Sequence, residues 1–324
     1  MGEFCIGIDL GGTFIKVALL DAALTVRARR QVETPAECGA EGVIEAMAGA
    51  AEELLHHRAA SSGRVLGVGI GSPGPLDLDA GVVIGMPNIP GFQNVPLRDR
   101  LAERLSLPAV LENDANAAAL GEYRAGSGQG LRHMVLLTLG TGVGSGIVID
   151  GRLVHGAHGM GAEIGHLIVE PGGEPCGCGQ RGCLERYASA TYLADYARRL
   201  IEQEGRPSSL RELLATGGEI TSKDVAEARR AGDALAVEVW DRAVYHLAVG
   251  CVSICRVLDP EMIVLGGGLA KAGEELLGPL RAHFERLHWK LAEPKTTLAL
   301  ASLGNDAGVI GAGCVAWEHF GRQH

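Results

Sequence analysis

One short segment, residues 161–185, constrains the fold more than any other part of the sequence. It carries a histidine and three cysteines closely spaced among glycines. Three thiolates and one imidazole make the closed, four-coordinate ligand set of a structural Zn²⁺ site. The alternative is one disulfide with a spare cysteine, but Cys-X-Cys is poor disulfide geometry and an odd thiol would remain. We therefore expect this segment, the metal loop, to fold around zinc through His166, Cys176, Cys178 and Cys183.

Two glutamates, Glu163 and Glu185, stand at either end of this ligand cluster. Neither is needed to complete four-coordinate zinc. The glycines between the ligands allow the backbone to turn tightly around a small ion. Spare carboxylates beside a rigid metal site favour a surface that binds a substrate.

Length, charge and composition limit the class of protein. A chain of 324 residues is long for one core and predicts two domains. The net charge of −10, with no run of lysine and arginine, argues against nucleic acid and anionic membranes as partners. Residues 1–4 do not begin a signal peptide, and no apolar run reaches membrane-spanning length. The remaining cysteines lie mostly in apolar segments, as in a reducing compartment, so a cytoplasmic location is predicted.

The first strand pair predicted from the sequence is joined by a glycine-rich turn. Residues 4–9 and 14–20 are apolar enough for two strands. Bare N–H groups and a hydroxyl in such a turn suit a phosphate, although an ordinary glycine hairpin is an open alternative. A carboxylate at the end of the first strand, Asp9, could orient Mg²⁺ or its waters. The turn residues are Gly11, Gly12 and Thr13.

The same arrangement recurs in the second half of the chain. Residues 134–139 form a predicted strand, a turn rich in glycine and threonine follows at 140–146, and residues 147–150 return. Thr141 and Gly142 occupy the place that Gly12 and Thr13 hold in the first turn. Such an internal repeat indicates two similar halves, each with a phosphate-binding hairpin.

Three further positions carry candidate site chemistry. Glu112-Asn113-Asp114-Ala115-Asn116 joins a strand to a helix, and helix capping explains one of its polar residues. A carboxylate at Asp114 beside the Asn113 amide is a candidate general base. Gly74 follows a predicted strand and could touch a ligand, or form a plain turn. Gly267, in a triple-glycine turn, could pack against a nucleotide or against a strand.

Helices are predicted where apolar residues recur with helical spacing. The predicted ranges are 42–60, 97–105, 117–123, 187–203, two short helices within 206–231, 233–257, 273–291 and 305–317. Further strands are predicted at 65–71, 109–111, 262–265 and 297–301. Residues 85–96 are expected to form a loop.

Together, the two glycine turns, the Glu112-Asn113-Asp114 junction and the metal loop resemble the ROK family of sugar kinases and sugar-responsive repressors. The resemblance covers essentially the whole chain. Its most specific part is Glu163-X-X-His166 followed by Cys176-X-Cys178-Gly179-X-X-Gly182-Cys183-X-Glu185. Within the family, the sequence is most similar to the bacterial ATP-dependent glucokinases. The motifs that favour this branch are Ser72-Pro73-Gly74, Pro87-Asn88 and Asn113-Asp114-Ala115-Asn116.

The resemblance implies an α/β protein with the two-domain, actin/hexokinase-like (ribonuclease H-like) fold and a central cleft. Residues 1–115 would form a smaller N-terminal domain, completed by a C-terminal helix within 305–324. Residues 116–304 would form the larger domain, with the zinc-binding insert at 161–185. A homodimer or homotetramer is also implied.

The resemblance also implies an activity: transfer of the ATP γ-phosphate, with Mg²⁺, to the 6-hydroxyl of glucose. Asp114 would be the general base, and Zn²⁺ would be structural. The implied sugar ligands are Gly74, Asn113, Asp114, Glu163, His166 and Glu185. The implied nucleotide-site residues are Asp9, Gly11, Gly12, Thr13, Thr141, Gly142 and Gly267.

Two alternatives remain open. Family members acting on mannose, fructose, N-acetylmannosamine or N-acetylglucosamine share most of these motifs. A sugar-sensing regulator without catalysis is the second alternative, but a sensor need not keep Asp114 and both phosphate turns. The family's repressors carry a DNA-binding region before the first glycine strand, and here that strand begins at Phe4, so a transcription factor is not expected.

Overall fold

The computed structural model describes residues 2–57, 63–86 and 89–321. The Pro87-Asn88 motif therefore lies outside the described residues. By packing, the chain forms two compact units. The first unit comprises Met1–Arg132, Gly146–Ala162 and Ser302–His324, and the second comprises His133–Ser145 and Glu163–Ala301.

The secondary structure alternates strands and helices, as expected for an α/β protein. In the described ranges the strands are β1 (Gly2–Leu10), β2 (Phe14–Asp21), β3 (Val26–Glu33), β4 (Gly63–Ser72), β5 (Leu76–Asp77), β6 (Val82–Gly85), β7 (Gln93–Val95), β8 (Ala109–Asn113), β9 (Met134–Leu139), β10 (Val143–Ile149), β11 (Arg152–Leu153), β12 (Met262–Gly266) and β13 (Thr297–Leu300). The α-helices there are α1 (Gly39–Leu55), α2 (Leu97–Leu105), α3 (Asp114–Ala125), α4 (Glu185–Ala188), α5 (Ala190–Glu202), α6 (Arg211–Ala215), α7 (Ser222–Arg230), α8 (Ala234–Leu258), α9 (Glu274–Leu287) and α10 (Ala307–Phe320).

The first sheet has the strand order β3-β2-β1-β4-β8. Strands β1, β2 and β3 form an antiparallel meander, whereas β4 pairs in parallel with β1 and β8 pairs in parallel with β4. Strand β1 is buried along most of its length because helices cover both faces of the sheet. Ile6 and Ile8 pack in a cluster with Met47 of α1, while Leu120 of α3 and Ile310 of α10 belong to another.

The second sheet repeats the first. Its order is β11-β10-β9-β12-β13, with β9, β10 and β11 as a meander and β12 and β13 parallel to β9. The same order of strands along the chain thus builds both sheets. This repetition supports the two similar halves predicted from the glycine turns.

Helix α3 belongs to the first of the two compact units. Helix α3 packs against α10, and Gly311 of α10 is close enough to the Ala117 and Gly121 backbones that an added Cβ would overlap them. Helix α3 therefore belongs to the first unit with β8. The predicted division into domains between residues 115 and 116 is a different partition and stays a prediction.

Several local predictions need correction. Strand β10 begins directly after Gly142, so the turn ends earlier than residue 146. Gly146 lies inside that strand. Glycine is needed at this position because an added Cβ would come within 2.9 Å of the Ala115 carbonyl oxygen. Residues 85–96 contain the end of β6 and all of β7, rather than an open loop. Strand β6 pairs with both β5 and β7 in a small third sheet. Strand β3 was not predicted, because it is largely exposed and polar.

In the described ranges, no helix combines the length and the apolar character that crossing a bilayer requires.

Candidate functional site

The first glycine turn joins β1 to β2 and is held from below by Thr34. The Gly11 N–H donates to the Phe14 carbonyl at 3.0 Å, and the Thr34 hydroxyl donates to the Gly11 carbonyl at 2.7 Å. Gly12 and Thr13 are exposed. Among the residues that the structure describes, no heavy atom lies within 4 Å of a Cβ built on Gly12. This turn is therefore open to an incoming anion, as expected for a phosphate site.

Asp9 lies near the end of β1, opposite Lys16 of β2. Its Oδ2 is 3.6 Å from Lys16 Nζ, which also donates to the Asn305 carbonyl at 2.7 Å. Burial raises the pKa of the Asp9 carboxyl, and the charge of Lys16 opposes this shift. Gly308 brings α10 so close that an added Cβ would lie 2.8 Å from the carboxyl carbon. A divalent cation near this carboxylate would offset its desolvation.

At the junction between β8 and α3, two polar residues have different roles. Asn113 is the N-cap of α3: its Oδ1 accepts the N–H groups of Ala115 and Asn116 at 2.9 and 3.1 Å. The Asn113 side-chain amide is thereby oriented as a donor for a ligand. Asp114 occupies the first turn, where its Oδ1 accepts the Ala115 N–H at 2.8 Å. The helix N-terminus stabilises a negative charge at this carboxylate.

Behind this junction lies a contact that sequence reasoning missed. The buried carboxylate of Glu112 accepts the Asn113 N–H at 2.9 Å through Oε1, and its Oε2 is 2.8 Å from Nε2 of His155. The hydrogen bond to Glu112 raises the pKa of His155, against the effect of partial burial. Glu112 was visible as a polar residue at a strand end, but no sequence pattern pointed to His155.

Gly74 follows β4 in the first unit. Its φ of +96° is in the left-handed region, and an added Cβ would overlap the Gly85 carbonyl. Glycine is therefore required here by the backbone itself. The predicted contact of Gly74 with a sugar stays a prediction.

The second glycine turn, between β9 and β10, is braced by the metal loop. The Gly140 N–H donates to the Gly142 carbonyl at 2.9 Å, and the Val143 N–H donates to Oε2 of Glu185 at 3.0 Å. An added Cβ at Gly142 would overlap that same carboxylate oxygen. Thr141 is exposed at the tip of the turn.

The metal loop brings its four predicted ligands together. One ligand atom each from His166, Cys176, Cys178 and Cys183 lies within 4.8 Å of the other three. The Cys176 Sγ to His166 Nδ1 distance is 3.6 Å and the Cys178 Sγ to Cys183 Sγ distance is 3.7 Å. Tetrahedral zinc with ordinary bond lengths separates such ligand atoms by roughly 3.5–3.8 Å, whereas a disulfide requires about 2.05 Å. The donor set and its spacing therefore fit Zn²⁺.

The backbone of the metal loop is shaped by its glycines and by short hydrogen-bonded turns. Gly179 and Gly182 have φ values of +90° and +83°. The Cys176 N–H donates to the Gln180 carbonyl at 2.9 Å, and the Gly179 N–H donates to the Cys176 carbonyl at 3.0 Å. These turns aim the cysteine side chains at one point.

Glu163 directly precedes a short 3₁₀ turn, Ile164–His166, of which His166 is the last residue. The Ile164 N–H donates to the Ser145 hydroxyl at 2.9 Å, which ties this turn to β10. Glu163 is exposed. Because Nδ1 of His166 faces Cys176, Nε2 is the ring nitrogen left for a ligand.

Glu185, at the start of α4, contacts both the cysteine cluster of the metal loop and the second glycine turn. Its Oε1 lies 3.9 Å from the Cys176 Sγ, while Oε2 accepts the Val143 N–H. Gly165 adds a second contact, since a Cβ there would overlap the Val143 carbonyl. The structure thus links the metal loop to the glycine turn, and the predicted sugar contact of Glu185 stays a prediction.

Gly267 follows β12, and its φ is +84°. An added Cβ would lie 2.6 Å from the Leu139 carbonyl oxygen and 2.7 Å from the Leu139 nitrogen. The packing alternative raised from the sequence is therefore sufficient to explain this glycine. Its predicted place in the nucleotide site remains untested.

A family profile and a sequence relative both place this chain in one family. The ROK family profile matches residues 5–319. A glucokinase of Halalkalibacterium halodurans is 42% identical, with 95% of this chain and 93% of that protein covered.

Two crystal structures extend the likeness to the fold. The ROK hexokinase of Thermus thermophilus has a TM-score of 0.84 and 36% identity, covering 98% of both chains. A ROK family glucokinase of Streptomyces griseus, in complex with glucose and AMPPNP, has a TM-score of 0.78 and 37% identity, covering 97% of this chain and 99% of that one. The fold is therefore the two-domain α/β fold of the ROK hexokinases, as predicted. This chain belongs to the ROK family.

Proposed function

We propose that this protein is an ATP-dependent glucokinase, which transfers the γ-phosphate of ATP to the 6-hydroxyl of glucose. The observation that carries the proposal is the match, over nearly the whole chain, to a glucokinase solved with glucose and an ATP analogue. The described residues include the groups that this reaction needs: an acid at a helix start and a glycine turn in the first unit, and a second glycine turn and the cluster of four candidate zinc ligands in the second unit.

Asp114 is the proposed general base. As the 6-hydroxyl attacks the γ-phosphorus, its proton passes to the Asp114 carboxylate, the new O–P bond forms, and the bond to the β-phosphate oxygen breaks to release ADP. Phosphoryl transfer asks the protein mainly for positioning and charge neutralisation. The first turn of α3 keeps the carboxylate charged and directed before the transfer.

The nucleotide is proposed to bind through the two glycine turns. Open backbone N–H groups and the threonine hydroxyls suit the phosphates, and Mg²⁺ near Asp9, when bound, supplies countercharge. The Val143 N–H already donates to Glu185, so it holds the turn rather than a phosphate. The proposed nucleotide residues are Asp9, Gly11, Gly12, Thr13, Thr141, Gly142 and Gly267.

The sugar is proposed to bind through polar groups that the helix cap and the metal loop hold in place. If Nδ1 of His166 held Zn²⁺, the ring proton would reside on Nε2, which could donate it to a sugar oxygen. The Asn113 amide is a second donor, while Glu163 and Glu185 accept from sugar hydroxyls, and Gly74 lets the backbone approach. A sugar that lacks one of these hydroxyls leaves polar groups unpaired and is rejected.

The remaining proposals concern the state of the protein. We propose that it carries structural Zn²⁺, acts in the cytoplasm and assembles as a dimer or tetramer. The grouping of four donor atoms within 4.8 Å, with two separations of 3.6 and 3.7 Å, supports the first of these.

The test is Mg²⁺-ATP turnover, followed as ADP release, across hexoses and N-acetylhexosamines. Glucose should be preferred; preference for another sugar would replace glucose as the substrate and keep the kinase. Asp114→Ala should still bind glucose in calorimetry but lose about 10²- to 10⁴-fold in kcat. Zinc-loaded wild-type protein that binds glucose but phosphorylates no sugar would refute the kinase and favour a sensor.

A further inference from the structure

We propose that His155 is a positioning residue for phosphoryl transfer, acting through Glu112 on the junction that carries Asn113 and Asp114. This inference rests on the proposed function and deepens it. It assigns a role to a histidine outside both the metal loop and the motifs of the sequence.

Glu112 is the connecting group. It is the penultimate residue of β8, and its side chain is buried. Oε1 accepts two hydrogen bonds, from the Asn113 N–H at 2.9 Å and from Nδ2 of Asn116 at 3.0 Å. Asn116 also donates its backbone N–H to the Asn113 side chain at 3.1 Å. One carboxylate oxygen thus fixes both the residue before Asp114 and the helix turn that contains it.

His155 holds the other oxygen of the same carboxylate. Its Nε2 lies 2.8 Å from Glu112 Oε2, and the two form an ion pair when the ring is protonated. A buried carboxylate requires such a partner, since an unpaired charge draws in water or takes up a proton. Either change would reorient the carboxylate and weaken its hydrogen bond with the Asn113 N–H.

The imidazole is itself held by its loop. The His155 carbonyl accepts the Gly161 N–H at 2.8 Å, which closes the segment between them. Gly161 packs so tightly that an added Cβ would lie 2.9 Å from the His155 carbonyl oxygen, and Gly156 has a φ of +73°. The loop therefore presents the His155 ring to Glu112 in one orientation.

His155 is also too accessible to serve as core packing. Its side chain is 36% exposed, and it borders a cavity of about 1040 Å³ in the first unit. Replacing it removes a hydrogen bond without opening a hole in the core. The cavity is also lined by the ionisable groups Asp77, Asp79, Arg152, His158, Glu318 and His319.

The experiment compares His155→Leu with His158→Leu, a matched change at an exposed residue of the same loop. Purified, zinc-loaded variants are assayed for kcat, for KM of glucose and ATP, and for Tm. His155→Leu should lower kcat/KM for glucose by about 10- to 100-fold, since a misplacement of about 1 Å costs up to about 100-fold. The KM for ATP should stay close to wild type, the Tm should fall because the buried Glu112 carboxylate loses its partner, and His158→Leu should behave as wild type.

Two further variants separate positioning from a general loss of structure. His155→Gln keeps a side-chain N–H that can donate to Glu112, so it should recover most of the lost activity. Because both residues act on one junction, the effects of His155→Leu and Glu112→Gln should be strongly non-additive in a double-mutant cycle.

Several results would overturn the inference: wild-type glucose kinetics in folded His155→Leu, equal losses in Leu and Gln variants, or additive effects in the cycle. Each of these leaves the wild-type kinase activity in place. A wild-type protein without sugar kinase activity would instead overturn the proposed function.

Discussion

Replacing Gly142 by alanine tests the link between the metal loop and the second glycine turn. An added Cβ would overlap Oε2 of Glu185, so the carboxylate would have to move. That oxygen accepts the Val143 N–H at 3.0 Å, and its displacement breaks this hydrogen bond. The mutation thus disconnects the turn from the metal loop without touching a metal ligand.

The size of the effect follows from the bond lost. A hydrogen bond to a charged group is worth about 1.5–3 kcal/mol. Alanine also lowers the conformational entropy of the unfolded chain, which stabilises the folded protein by about 0.4–1 kcal/mol and offsets part of this loss. The free energy of unfolding should therefore fall by about 1–2 kcal/mol. If the same loss applies to the ordered turn in the nucleotide complex, AMPPNP affinity should fall roughly 5- to 30-fold.

The assay is titration calorimetry with Mg²⁺-AMPPNP, together with urea unfolding. Gly140→Ala is the matched control in the same turn, because no atom of the described chain lies within 4 Å of a Cβ built on Gly140. Equal stability and equal AMPPNP affinity in the two alanine variants would refute the reasoning.

Two other predictions concern the metal and a buried carboxylate. Removing the proposed zinc with a chelator should lower the Tm and weaken glucose binding in calorimetry, because a metal bond at Nδ1 would fix the orientation of the His166 ring. Unchanged glucose affinity in a zinc-free, folded protein would contradict this. Glu122 is fully buried and accepts hydrogen bonds from the N–H groups of Ser127, Ser302 and Leu303 and from the Ser302 hydroxyl. Glu122→Ala should lower the free energy of unfolding in urea by at least about 3 kcal/mol, because three backbone N–H donors lose this acceptor and a buried donor left unpaired costs about 1–3 kcal/mol. A loss no larger than that of the exposed Glu103→Ala control would refute this.

The features predicted best from the sequence are those set by neighbouring residues. The four proposed zinc ligands lie close together in the chain, so residue type and spacing alone predicted the cluster that the structure shows. The polar strand–helix junction was also predicted, although α3 begins at Asp114, three residues before the predicted start at residue 117. The repeated strand–turn–strand pattern indicated two similar halves, and the matching strand order of the sheets supports this.

Long-range pairs could not be predicted in the same way. The contacts between Glu112 and His155, and between Glu185 and Val143, join residues about forty positions apart. No periodicity or motif encodes such pairs, because they exist only after the sheets have formed. Glycines were ambiguous for a similar reason: Gly12 is open to solvent, whereas Gly267 is packed against Leu139.

The repeated sheet order shows where the two halves of the chain differ. In the first half only residues 34–38 separate β3 from α1, whereas in the second half residues 154–233 separate β11 from α8. The metal loop and four helices, α4 to α7, occupy that longer stretch. The two sheets form a repeated framework, and this stretch is a long segment that has no counterpart in the first half. The proposed sugar contacts Glu163, His166 and Glu185 all lie in this stretch, so substitutions there are expected to alter sugar preference while every strand keeps its neighbours.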